Sequence, residues 1–217
     1  MTKRPIYLVS NTPAHDESVI HLPLLVTRWL YPAIDLSRCD GIIFTSKNGV
    51  DAMERIDTAW KKLPALCVGS ATRKRVMELG GEVTGTAGGY GDELYALVKA
   101  YHADKRWCYA RPKVVASDFA QRLRREGIAL EEHVVYETVC RAETVSATVP
   151  DDAVLIFTSP SALHCFLSRF SLLDSHEIVV IGRTTRDALP GRRVHVASEP
   201  TVAACIALAK QLQKEAP

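Results

Sequence analysis

The chain has 217 residues, with 27 basic and 25 acidic side chains, a net charge of +2, and 47% hydrophobic residues. That is enough apolar material for one large core or two small ones. The near-neutral balance argues against a nucleic-acid binder or a polybasic membrane anchor, and no apolar run reaches the roughly 20 residues of a membrane span.

Taken in order, "MTKRPIYLVSNTP" opens with basic residues. Its short apolar run stops at Asn11, Thr12 and Pro13, which makes a poor signal peptide and a good first strand, Ile6 to Val9. "IHLPLLVTRWL" from Ile20 is rich in β-formers and reads as a crossing strand. Then Gly41-Ile42-Ile43-Phe44, Leu66-Cys67-Val68 and Trp107-Cys108-Tyr109-Ala110 are buried-strand runs, each followed by polar residues and a helical pattern. The helix "SDFAQRLRREGI" is capped by Ser117 or Asp118 and ended by Gly127. "EEHVVYETVCR" from Glu131 is a second β-rich crossing. Val154–Phe157 and Ile178–Ile181 repeat the strand-then-helix pattern, and a strand over 193–196 precedes the last helix.

Two of these segments are copies. Phe44-Thr45-Ser46 recurs as Phe157-Thr158-Ser159, an offset of 113, and Gly69, Thr72 and Arg73 recur at the same offset as Gly182, Thr185 and Arg186. "YALVKAY" from Tyr95 answers "IALAKQL" from Ile206 at an offset of 111. Two blocks in constant register indicate an internal duplication of an α/β unit. The second copy has too few strands for a sheet, and the spare strand lies at the N-terminus. The expected fold class is therefore α/β: two duplicated parallel-sheet domains, flavodoxin-like or HUP-like, joined by a two-stranded β-ribbon hinge. Residues 1–20 and 146–217 form a discontinuous domain, residues 33–131 an inserted one, and residues 21–32 and 132–145 the ribbon.

In open parallel sheets ligands sit at the carboxyl ends of strands, over helix N-termini. Thr45 with Ser46, Ser70 with Thr72, Thr158 with Ser159 and Ser161, and Thr184 with Thr185 all fall there. Helix N-termini offer free N–H groups and the positive end of a dipole, and so suit anions. The plainer reading is that Ser and Thr are preferred helix caps. Arg73, Lys74, Arg75, Arg183 and Arg186 lie in first helical turns, where a cation is mildly unfavourable unless an anion binds or solvent screens it. Glycine-rich nucleotide loops, His-Glu-x-x-His and Gly-x-Ser-x-Gly are absent, and "GGYG" from Gly88 reads as a loop. The seven histidines do not cluster, although His133 lies on a crossing strand. The six cysteines, Cys39, Cys67, Cys108, Cys140, Cys165 and Cys205, contain no Cys-x-x-Cys pair. They read as buried reduced thiols of a cytoplasmic protein, with no metal site and no disulfide framework.

The segments "IFTSKNGV" at Ile43, "VGSATRKRVMELGG" at Val68, "EEHVVYET" at Glu131, "IFTSPSAL" at Ile156, "IGRTTRDAL" at Ile181 and "ASEPTVAACIAL" at Ala197 resemble, in their order and spacing, the uroporphyrinogen-III synthase family. The resemblance implies two α/β lobes on a ribbon. It also implies a cofactor-free cyclisation of hydroxymethylbilane, a linear tetrapyrrole with eight carboxylates, with inversion of ring D and loss of water. It places the family's candidate catalytic tyrosine at Tyr136, a phenol able to give a proton to the departing hydroxyl; the plainer reading is a packed strand aromatic. Thr72 and Thr185 match threonines that face the cleft in relatives, and the resemblance makes them binding candidates. Thr45, Ser46, Ser70, Thr158, Ser159, Ser161 and Arg111 are further binding candidates. Two departures stand out. Only a short turn, "SNTPAHDESVIHLPL", follows the first strand where relatives have a helix. "ARPKVVASDF" replaces a glycine-rich loop after Ala110, so that Arg111 and Lys113 are placed to meet carboxylates while Pro112 removes a donor. The expected partner is a polycarboxylate tetrapyrrole, with no nucleic acid and no membrane, bound by a monomer. The alternatives are a non-catalytic two-lobed sensor of a tetrapyrrole or other polyanion, and a small glycosyltransferase.

Overall fold

Runs such as Ile42-Ile43-Phe44 are apolar without alternation because both faces of a parallel sheet are covered by helices. The computed structural model describes residues 3–89, 91–101, 104–115, 117–143 and 147–214. The expected boundary at 145/146 lies outside these, as do Tyr90 of the glycine loop and Ala116. The chain divides into two compact units: Met1–Val26 with Thr138–Pro217, and Thr27–Glu137.

The first unit holds strands β1 (Ile6–Val9), β2 (Val19–Leu22), β9 (Val154–Phe157), β10 (Glu177–Val180) and β11 (His195–Val196), in the order β11-β10-β9-β1-β2 and all parallel. β1 completes this sheet from the far end of the chain, with Tyr7 opposite Leu155. Helices α5 (Pro160–Leu167), α6 (Arg183–Asp187) and α7 (Val202–Lys214) belong to it. Phe157, Phe166 and Val180 pack on one face of the sheet; Leu8, Ile156 and Val179 pack with Cys205 and Ile206 of α7 on the other.

No helix joins β1 to β2, although parallel strands normally need a crossover of a dozen residues or more. Ala14 of the connection packs into the α7 cluster, and Asp16 holds Lys210 at 2.7 Å, so the last helix covers the place. The segment from Ile20 is also not one crossing strand. It breaks at Pro23-Leu24 into β2, which stays in the first sheet, and β3 (Leu25–Trp29), because proline cannot donate to a ladder.

The second unit carries the six-stranded sheet β3-β8-β7-β4-β5-β6, with β4 (Gly41–Phe44), β5 (Ala65–Val68), β6 (Val83–Ala87), β7 (Trp107–Pro112) and β8 (Leu130–Cys140). β4 to β8 run parallel to one another. Backbone bonds from Leu30 N–H to the Val135 carbonyl and from Arg141 N–H to the Leu24 carbonyl show β3 and β8 running antiparallel. The division between units falls inside both of these strands, after Val26 and after Glu137. Helices α1 (Lys47–Ile56), α2 (Ser70–Glu78), α3 (Asp92–Ala100) and α4 (Phe119–Arg125) flank the sheet. Phe44 meets Trp60 edge-to-face on one side; Ile43, Trp107 and Tyr109 pack on the other.

The repeat has a counterpart in register. Ile42 stands opposite Ala65 and Phe44 opposite Cys67; Leu155 stands opposite Ile178 and Phe157 opposite Val180, each residue displaced by 113.

The cysteine reading needs correction. Cys140, the last residue of β8, forms a disulfide with Cys165 of α5, their Cα atoms 5.2 Å apart. The sequence separation of 25 hid the pairing, since sequence spacing reveals a short chelating motif but not a contact made by folding. Cys39, Cys67, Cys108 and Cys205 are free and buried, and burial raises the thiols of Cys67 to about 12 and Cys205 to about 11, leaving them inert.

Candidate functional site

Parallel strands put all their carboxyl ends at one edge, so each unit gathers its turns without help from sequence proximity. In the second unit this edge brings together the turns after β4, β5 and β7 with Tyr136 of β8. Thr45 is buried, and its hydroxyl lies 3.2 Å from that of Tyr109. Ser46 is the N-cap of α1 and accepts the Asn48 N–H at 3.2 Å. Gly69 precedes α2 with φ +78° and ψ 153°, a conformation that favours glycine, and Ser70 begins that helix. Thr72, one turn in, is 4% exposed.

Arg111, the penultimate residue of β7, has its guanidinium occupied. Nη1 donates to the carbonyls of Pro112 and Lys113 at 2.9 and 3.2 Å. Nε lies 2.7 Å from Glu132 Oε2, close enough for an ion pair, but its N–H makes no aligned hydrogen bond. Tyr136 stands opposite Pro112 and is buried with Phe44 and Val50. It is one residue from the end of the unit. His133 Nε2 lies 3.7 Å from Glu131 and gathers no other titratable partner among the described residues.

In the first unit the corresponding edge carries Thr158, whose hydroxyl donates to the Val9 carbonyl at 3.4 Å. Ser159 is the N-cap of α5 and accepts the Ala162 N–H at 3.1 Å, with Pro160 preset at the first helical position. Ser161 is exposed and lines a hollow of about 460 Å³ with Thr138, His164 and the Cys140–Cys165 disulfide. Thr185, in α6 after Gly182, is 2% exposed. A second hollow of about 520 Å³ touches Glu177, at the amino end of β10, and so lies away from the edge where the turns gather.

The capping role thus accounts for Ser46 and Ser159, and the fold uses the hydroxyls of Thr45 and Thr158. What each edge still offers is the free N–H groups of helix first turns. Several of the helix-start cations already have acidic partners: Lys74 with Glu78, Arg75 with Asp51 at 2.6 Å, and Arg186 with Asp187 at 2.8 Å. Among the described residues no three His, Cys, Asp or Glu side chains come together as a metal site requires. Among the described residues no helix is long and apolar enough to cross a membrane.

The family model described as HEM4, uroporphyrinogen-III synthase HemD, matches residues 10–207. The chain belongs to the uroporphyrinogen-III synthase family. Among solved structures, that of uroporphyrinogen-III synthetase from Helicobacter pylori 26695 is similar at 26% identity, covering 96% of this chain and 99% of the other with a TM-score of 0.82. A mutant uroporphyrinogen III synthase from Thermus thermophilus shares the fold at 15% identity, with 97% and 99% coverage and a TM-score of 0.59. No curated protein matches. Uroporphyrinogen-III synthase is thus the function the family and fold support, a cyclising, lyase-type step of porphyrin and haem biosynthesis.

Proposed function

We propose that this chain closes hydroxymethylbilane with inversion of ring D and loss of water, giving uroporphyrinogen III, as a cyclising carbon–oxygen hydro-lyase that needs no cofactor and works as a cytoplasmic monomer. The family match over residues 10–207 carries the reading. The substrate's carboxylates are held by helix first turns, with Thr72 and Thr185 as the principal side chains; Ser70 and Ser161 assist. Backbone N–H groups suit this task because they stay charge-neutral when no substrate is bound and need no counter-ion. Ser46, Ser159, Thr45 and Thr158 contribute by shaping those turns, and Arg111 by holding the loop after β7.

Loss of hydroxide from the bilane needs a proton donor, and Tyr136 takes that role. Its place in β8, opposite Pro112 at the end of β7, supports this. A phenol suits a step in which a leaving hydroxyl must gain hydrogen-bonding at the moment its bond breaks. The test is to supply hydroxymethylbilane and separate the oxidised products by isomer. The type III isomer is expected; type I alone, the product of spontaneous closure, overturns the assignment. Saturable binding without turnover would instead make the chain a sensor.

A further inference from the structure

Successive residues of a strand face opposite sides of the sheet. β8 breaks this rule. Val135 and Tyr136 are consecutive, yet both belong to the buried cluster of Phe44 and Val50. The cause is a shift in register: Arg111 stands opposite Val134, but the next residue, Pro112, stands opposite Tyr136. At this step β8 holds one residue more than β7, which is a bulge, and bulges re-aim the side chains that follow them. Unbroken alternation would put Tyr136 on the other side of the sheet from Val135.

The bulge is held from both sides. Leu30 N–H donates to the Val135 carbonyl at 3.0 Å, and Lys113 N–H donates to the Tyr136 carbonyl at 2.9 Å. Pro112 has no N–H to offer, so Lys113 supplies the next donor. The ammonium of Lys113 also lies 2.9 Å from Glu137 Oε2, while Arg28 of β3 holds the other oxygen of the same carboxylate at 3.1 Å. The Glu137 side chain is 11% exposed, against 64% for Lys113 and 66% for Arg28. The carboxylate is the fixed member, and two solvent-side cations converge on it. Lys113 therefore grips the tyrosine's own carbonyl with its backbone and the next residue with its side chain.

We propose that Lys113 is a positioning residue for Tyr136: with Glu137 it locks the β8 bulge and so sets the place of the phenol. The proposal rests on Tyr136 as the proton donor. It assigns the loop after β7, through Lys113, to aiming that donor rather than to binding substrate carboxylates.

The test uses the full chain carrying 3-fluorotyrosine at position 136, with Lys113→Met, Lys113→Arg and Glu137→Gln. Lys113→Met keeps the side-chain stem and removes the charge. The expected result is a shifted or broadened fluorine signal. It is accompanied by a fall in kcat of roughly tenfold, less than the hundredfold that a full ångström of misplacement costs, with KM unchanged. Glu137→Gln gives the same loss, Lys113→Arg restores the signal and the rate, and Lys113→Met has no further effect in a Tyr136→Phe background. A raised KM at constant kcat, or equal losses in both backgrounds, overturns the proposal, since Lys113 then acts on substrate directly. If Tyr136→Phe is fully active, the proton-donor reading fails by itself. An unmoved fluorine signal in Lys113→Met fails the positioning claim by itself.

Discussion

Asp16 and Lys210, 194 residues apart in the chain, meet at 2.7 Å and fasten the helix-free connection between β1 and β2 to the last helix. Hydrogen bonds from Lys210 and Ser18 lower the Asp16 carboxyl from 3.8 to about 2. A carboxyl whose folded value is depressed contributes stability above its unfolded value and loses it as pH falls through the folded one. The native chain should therefore lose stability between about pH 4 and pH 2 more steeply than Asp16→Asn. Equal acid slopes in urea titrations of the two proteins would contradict this.

The Cys140–Cys165 bond closes a loop of 25 residues. In the chain-entropy account such a loop stabilises by about 3 kcal/mol. Cys140→Ser, or native protein in reductant, should lose roughly that amount in chemical denaturation of the first unit, and reductant should leave the Ser variant unchanged. Mass spectrometry showing two free thiols at these positions in oxidised protein would remove the premise.

Gly69 and Gly182 are matched by the repeat but not by conformation. Gly69 has φ +78°, whereas Gly182 is extended at φ −177° and an added Cβ meets nothing within 4 Å. Gly69→Ala should cost about 1–3 kcal/mol. Gly182→Ala should stay within about 0.5 kcal/mol of the native chain. A raised KM in Gly182→Ala then reports substrate lying against that backbone; equal destabilisation by both changes contradicts the contrast.

Ser159 caps α5 through its side-chain oxygen. Ser159→Ala should cost about 1 kcal/mol of stability. Ser159→Asp keeps a cap of similar quality but puts a negative charge where carboxylates are proposed to bind. Its melting temperature should hold while KM rises roughly tenfold, which corresponds to about 1.4 kcal/mol. An unchanged KM would show that this turn holds no substrate carboxylate.

Much of the fold is written locally. Apolar runs ending in Phe-Thr-Ser mark β4 and β9, and counting strands in the second copy leads to β1 as the missing member. The places where reading fails depend on contacts made only after folding. "IHLPLLVTRWL" has the composition of one strand, but Pro23 divides it and Val19–Leu22 pairs with β1. Cys140 and Cys165 carry no spacing signal. Arg111 reads as a cation awaiting a carboxylate, and Glu132, 21 residues away, already holds it. At the site the turns are legible because caps have sequence preferences. The bulge that aims Tyr136 is not, because it arises between two strands; Pro112 is its one local trace.

The pairing of β1 with β9 has a consequence for biosynthesis. Ile6 must wait for Val154, 148 residues later, a delay of about 7–30 s at ordinary rates of synthesis. Every strand of the second sheet precedes β9 in the chain, so the inserted unit is synthesised in full while Ile-Tyr-Leu-Val of β1 still has no partner on the β9 side. During that interval an apolar strand lies open to wrong pairing. The newborn chain is thus most exposed to aggregation through its first strand, and a chaperone that shields the N-terminal segment would raise the yield of active protein more than one acting after release.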